Sequence, residues 1–212
     1  MIRLETIDVQ GFGPAIHGMR NPKNSWDRGD SIQNPDGAFA LGDNDRKLAL
    51  QLAAGGPVHA KYRRMITVWV DITAPLYWWK EFDTYKVGTA ANSCSTMHKI
   101  HAKEFVMDDF SHEHMTAMSE QLLVNTIKGL NWYRGTYLVT KSKRDWWQMI
   151  QLLPSSYNQK RTVLLNYEVL ASICKHRAGH KLDEWHEFIG WAKTLPYPEL
   201  FMEASDEHGD GD

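Results

Sequence analysis

Lys86, Asn92, Ser93, Ser95, Thr96 and His98 share one short segment, KVGTAANSCSTMH at 86–98. It offers an ammonium, an amide, hydroxyls and an imidazole. Gly88, Ala90 and Ala91 are small enough to let a ligand approach the backbone N–H groups. Such a set reads a nucleotide base or a phosphate; the alternative is an ordinary polar surface loop. The segment follows Ala74-Pro75 and the aromatic run Tyr77, Trp78, Trp79, Phe82 and Tyr85. A polar loop on the end of a rigid element is where binding residues concentrate. The aromatic run offers a stacking surface for a flat ring, or it packs on a sheet and a neighbouring subunit. Packing is the favoured reading for Trp78 and Phe82. His59, after Gly55-Gly56-Pro57, is a second candidate, able to exchange a proton near neutral pH; a plain surface histidine reads equally well.

Other patterns carry less. His98-x-x-His101 and His112-x-His114 lack the cysteines or acids of a metal site, so no metal is expected. Gly11-Phe12-Gly13 is not followed by a helix pattern and is no dinucleotide fingerprint. Cys94 has no base near it in sequence and reads as a small buried thiol.

The elements that must position these residues follow from patterning. Residues 2–9 read as a strand. Residues 10–44, rich in Gly, Pro, Asn and Asp, read as a long loop or lid. Residues 44–54 read as a helix ended by Gly55-Gly56. At 64–73, Ile66, Val68, Val70 and Ile72 alternate on one strand face. Pro75 suits a helix start, with the helix running to about Tyr85. Helices are expected at 112–131 (Met115, Met118, Leu122, with Leu123 as a further candidate, Ile127 and Leu130 inward), at 142–152, at 157–177 and at 182–194. Ser142 and Asp145 have capping-box spacing, and Leu153-Pro154 breaks the chain. The order implies α+β or mixed α/β: a central antiparallel or mixed sheet flanked by several long helices.

With 212 residues and 42% hydrophobic residues, the chain reads as one domain over 1–202 with a disordered acidic tail at 203–212. A net charge of −2 argues against a nucleic-acid polymer. No apolar run is long enough to span a bilayer. Two cysteines and no signal-peptide core place the protein in the cytoplasm. Most of the nine tryptophans should be core.

From Asp45 to Trp191 the chain resembles the flavin-dependent thymidylate synthases (ThyX type), whose signature runs R-H-R, a short linker, then N-E-x-S-x-R-Y. Here Ala74-Pro75 and a helix lead to Thr84-Tyr85-Lys86, then Asn92-Ser93-Cys94-Ser95-Thr96-Met97-His98. His59 matches a family histidine near the flavin. Ser142-Lys143-Arg144 falls on the family N-A-R, and Gln159 on a family glutamine at the start of a long helix. The resemblance implies a thymidylate synthase-complementing-protein-like fold and binding of FAD and a pyrimidine nucleotide. It implies NADPH and methylenetetrahydrofolate as co-reactants and a homotetramer with sites between subunits. By resemblance, His59, Tyr85, Lys86, Ser142 and Arg144 meet the flavin, and Asn92, Ser93, Ser95 and Gln159 meet the nucleotide. No catalytic residue is singled out.

The departures are charged. Of R-H-R only Lys86 keeps a charge; the family glutamate is Ser93; family arginines are Met97, Asn125 and Leu153. Losing three phosphate-holding guanidinium contacts costs about 5 kcal/mol or more, a few thousand-fold in affinity. Lys86, Lys99, Arg144, Lys160 and Arg161 are the cations available to replace them. The resemblance implies transfer of a one-carbon unit to C5 of a pyrimidine deoxynucleotide; the alternative is a catalytically inactive regulatory or sequestering nucleotide binder on the same scaffold.

Overall fold

Ile66, Val68, Val70 and Ile72 are fully buried and face one way, as period-2 alternation dictates. They lie in and beside the strand around which the fold is built. The computed structural model describes residues 2–35 and 37–202. In chain order these give β1 (Arg3–Gln10), α1 (Phe12–Met19), β2 (Ile32–Gln33), β3 (Phe39–Ala40), α2 (Asp43–Ala54), β4 (Thr67–Pro75), α3 (Leu76–Phe82), β5 (Ala90–Ser93), α4 (Ala117–Thr140), α5 (Lys143–Leu152), β6 (Asn158–Asn166), α6 (Tyr167–Arg177) and α7 (Asp183–Ala192). The main sheet is antiparallel with strand order β1-β4-β6-β5, and β2 pairs with β3 in a small antiparallel ribbon. This is the expected α+β class. Among the described residues no helix is long and apolar enough to cross a membrane.

The chain forms two compact units. The first comprises, among the described residues, 2–5, 71–84 and 91–162. Its core joins Ile100, Phe105 and Phe110 to Leu123, Ile127 and Leu130 of α4 and Met149 of α5. The second comprises, among the described residues, 6–35, 37–70, 85–90 and 163–202. There Phe12 stacks on Phe39 and meets Tyr167 edge-on, and Trp185 and Phe188 of α7 are fully buried.

Three expectations are corrected. Residues 10–44 are not a featureless loop. Gly11 adopts φ +93°, and a Cβ there would sit 2.1 Å from the Met65 carbonyl oxygen, so only glycine fits. Gly11 turns the chain into α1, whose Phe12, Ala15, Ile16 and Met19 share a buried face. The Gly, Pro and Asn content masked that helical period.

Residues 157–177 are not one helix but a strand followed by a helix. Val163, Leu165 and Tyr167 alternate into the core, a pattern that a short apolar run shares with a helix face. The Asn166 side chain marks the switch by accepting from Glu168 N and Val169 N as an N-cap. Gln159 therefore sits on a strand, not at a helix start.

The helix expected at 112–131 starts and ends later. Thr116 caps it, Leu123, Ile127 and Leu130 face inward, and Met118 and Leu122 face out. Smaller shifts accompany these: α3 ends at Phe82 rather than near Tyr85. Ser142 caps α5 through Arg144 N, but Asp145 accepts from Thr140 Oγ1 instead of closing a capping box. The acidic tail lies outside the described residues.

Candidate functional site

The 86–98 segment is not all loop: residues 90–93 form the edge strand β5, and the loop proper begins at Cys94. In the first unit, β6 holds that loop by two bonds. Cys94 N donates to Lys160 O at 2.9 Å, and Gln159 Nε2 donates to Cys94 O at 2.7 Å. Farther along, Ser95 Oγ accepts from Met97 N and His98 N, closing a local turn. Trp146 Nε1 of α5 then donates to Met97 O at 2.9 Å. The fold thus brings Asn92, Ser93, Ser95 and Gln159 into one assembly with the helix that Ser142 caps and whose first turn holds Arg144.

Roles within this assembly differ. Both ends of the Gln159 amide are bonded, since its Oε1 also accepts from Arg161 Nε at 3.0 Å; its geometry is that of a loop anchor. Arg161 lies over the Trp79 ring at 4.1 Å and pairs with Asp83 at 2.8 Å. Asn92, Ser93 and Arg144 are exposed. Trp78, Trp79 and Phe82 are closed into the core and stack on one another, so the packing reading of the aromatic run holds for them. Cys94 is exposed, which corrects the expected buried thiol. The buried cysteine is Cys174, whose thiol burial pushes up to about 11.

Beside Cys94 lies a cleft of ≈ 310 Å³, walled by Arg3, Thr73, Lys103, Asp108, Tyr157 and Lys160 among others. Burial, then the Asp109 carboxylate and Cys94, push the Tyr157 phenol above its usual 10.0, so it stays a hydrogen-bond donor at neutral pH. Lys160 pairs with Asp71 at 2.6 Å, and Lys103 with Asp109. The Asp71 hydrogen bond raises the Lys160 ammonium above its usual value, and the Lys160 and Thr162 bonds lower the Asp71 carboxyl. Arg3 is exposed and makes no ion pair with a described residue. The cleft is of mixed charge: Arg3, Lys103 and Lys160 stand against Asp108 and Asp109, and two of the three cations are already paired, so Arg3 is its one cation left to meet an anion among the described residues.

The remaining candidates lie in the second unit. The Tyr85 hydroxyl accepts from Arg177 Nε at 3.0 Å, and Arg177 also lies over the Tyr85 and Trp185 rings. Lys86 is exposed. Gly88, at φ +82°, packs against Asn166 and Val169. His59 is exposed, its ring lying against Gly55, where a Cβ would come within 3.1 Å. Among the described residues no group of three or more His, Cys, Asp or Glu is placed to hold a metal ion.

No family model and no curated protein matches the sequence. Solved structures do match. One is thymidylate synthase X (ThyX) from Helicobacter pylori with FAD and dUMP: TM-score 0.68 and 14% identity, covering 95% of this chain and 97% of that one. A second structure of flavin-dependent ThyX from H. pylori, also complexed with FAD and dUMP, gives TM-score 0.66 and 15% identity over 94% and 97%. The chain therefore has the ThyX fold over nearly its whole length.

Proposed function

We propose that this protein binds a flavin and a pyrimidine nucleotide and transfers a one-carbon unit to the nucleotide C5. The observation that carries the reading is the fold match, over 95% of the chain, to an enzyme holding FAD and dUMP. A flavin held here would supply the hydride or one-carbon carrier chemistry. The chain's residues supply placement. Asn92 and Ser93 at the end of β5, and Ser95 in the loop that Gln159 and Trp146 hold in place, present polar groups to the nucleotide. By the family resemblance the flavin contacts are His59, Tyr85 and Lys86 of the second unit and Ser142 and Arg144 of the first; Lys86 and Arg144 are exposed cations with no ion pair to a described residue, each able to meet a phosphate. NADPH and methylenetetrahydrofolate would be the co-reactants. The free, exposed Cys94 fits a reducing compartment, and we place the protein in the cytoplasm.

The family resemblance implies sites built between subunits. The outward face of α4 supports a homo-oligomer, a tetramer in our reading. Met118, Leu122, Trp132 and Val139 are exposed large apolar residues. With Asn125, Gly129 and Thr136 they repeat at four-three spacing along the helix, the seam of a helix–helix interface. Trp132, 73% exposed, is its largest side chain. Trp132→Glu is expected to weaken self-association by about 30-fold or more, the loss of a buried aromatic anchor. Sedimentation velocity across a concentration series reads this; an unchanged oligomer would show that the face is not an interface.

The purified protein is expected to be yellow, or to bind added FAD by calorimetry. A colourless protein that takes up no FAD would end the proposal. One observation favours a second reading, a nucleotide binder without catalysis. Of the cations available to replace the family arginines, Lys160 and Arg161 are already committed to Asp71 and Asp83. Growth rescue of thymidine-requiring cells separates the two, since only the enzyme restores thymidylate.

A further inference from the structure

The chain carries a second polar cavity, in a segment no functional reading above uses. It lies in the second unit, measures ≈ 720 Å³, and is bounded by residues 20–28 on one side and by Asn44, Lys47, Leu48 and Gln51 of α2 on the other. Its charged lining is Arg20, Lys23, Arg28 and Lys47 against Asp27 alone. Leu48 is the single aliphatic side chain among the lining residues. An apolar ligand finds nothing to bury there, but a polyanion with hydroxyl groups finds cations and amides.

The cavity is built rather than a chance gathering of surface lysines. Arg20 is only 5% exposed. Asp45 receives its Nε and the Ser25 carbonyl its Nη1 at 3.1 Å. Those bonds use two of the five guanidinium N–H groups and fix the plane of the fork, while Arg20 remains part of the cavity wall. Around this fixed donor, Lys23, Arg28 and Lys47 are exposed and make no ion pair with a described residue. Asn24, in the left-handed region at φ 47°, and Asn44 and Gln51 add neutral groups.

We infer that this cavity binds a small ligand carrying two or more phosphate groups, with Lys23, Arg28 and Lys47 as the phosphate contacts and Arg20 as the fixed donor at the wall. The phosphates are the shared chemistry of a nucleoside polyphosphate tail and of a sugar bisphosphate. The inference does not depend on flavin binding, and its test needs no flavin.

The experiment is calorimetric titration of the full chain at constant ionic strength with inorganic pyrophosphate, a nucleoside triphosphate and a sugar bisphosphate. Saturable one-to-one binding is expected. Lys47→Gln should weaken it about tenfold, and the triple variant Lys23→Gln/Arg28→Gln/Lys47→Gln should weaken it at least a hundredfold. All three positions are exposed, so ligand-free melting should be unchanged, and Lys61→Gln, exposed outside the cavity, should bind like the parent. Equal affinity for the three probes would mean that phosphate alone is read; preference for one would identify the source. Absence of saturable binding by any probe, or a triple variant that binds like the parent, overturns the inference.

Discussion

Asp45→Ala is expected to destabilise the protein by about 3–5 kcal/mol, a large share of the 5–15 kcal/mol typical of a domain. The Asp45 carboxylate is 1% exposed. It accepts from Arg20 Nε through Oδ1, and from Asp30 N, Ser31 N and Ser31 Oγ through Oδ2. Asp30 answers by accepting from Asn44 N and Asp45 N at the start of α2. Removing the carboxylate leaves a buried guanidinium and three donors without their acceptor. The penalty of the stranded charge, not the net worth of the pair, sets the size of the effect. Arg20→Met with Asp45→Leu should therefore cost less than Asp45→Ala alone, although the Asp30 and Ser31 donors remain unanswered.

The pH dependence has a definite sign. Burial pushes the Asp45 carboxyl up, but hydrogen bonds from Ser31, Arg20 and Asp30 together hold it below its usual 3.8. A carboxyl with a depressed folded value adds stability that is fully present above the unfolded value. That stability is lost as pH falls through the folded one. The gap between parent and Asp45→Ala should be constant from neutral pH down toward 3.8 and close only below it. Urea unfolding followed by tryptophan fluorescence at several pH values measures both; a gap under 1 kcal/mol at neutral pH would refute the argument.

Trp79→Ala is expected to cost a similar 3–5 kcal/mol and, in addition, to loosen the 94–98 loop. The ring is buried, edge-on to Trp78 at 5.0 Å and to Phe82 at 5.4 Å. Its Nε1 donates to Gln159 O at 2.9 Å, and Arg161 lies over its face. Trp79 thus fixes the backbone from which the Gln159 side chain reaches Cys94. Alanine opens a cavity, removes a donor from the Gln159 carbonyl and takes the ring from under Arg161, which keeps its pair with Asp83. Trp79→Phe keeps most of the packing and should cost only about 1–3 kcal/mol, the hydrogen-bond part. Amide exchange at Cys94, Met97 and His98 should quicken in the alanine variant more than at Leu123 or Leu130. Uniform exchange throughout the unit would show that Trp79 packs without anchoring the loop.

The local elements were legible because their causes are local. The alternation through Ile66–Ile72 gives β4, Gly55 ends α2, Ser142 starts α5, and the apolar period at 182–194 gives α7. The polar loop was legible as a type of segment, since small residues beside hydroxyls and amides describe a binding loop wherever they sit. The order of motifs pointed to the ThyX fold, and the fold match upholds it.

What escaped was set by partners far away in sequence. Whether 158–166 is strand or helix depends on β4 and β5 lying on either side, because the apolar run itself satisfies both periods. The face that α4 buries was off by one residue at Leu122 and Leu123, a choice made by the core it meets. Gln159 became an anchor because Cys94, 65 residues away, came within reach, and Met97 was fixed by Trp146, 49 residues on. The cavity of Arg20 and Lys47 joins residues 20–28 to α2 across a stretch that composition marked only as loop. The residues themselves determined periodicity, capping and the chemical kinds of group on offer. Only tertiary structure decided which donors meet which acceptors, because that choice rests on distance, and distance between remote residues is set by the packed core.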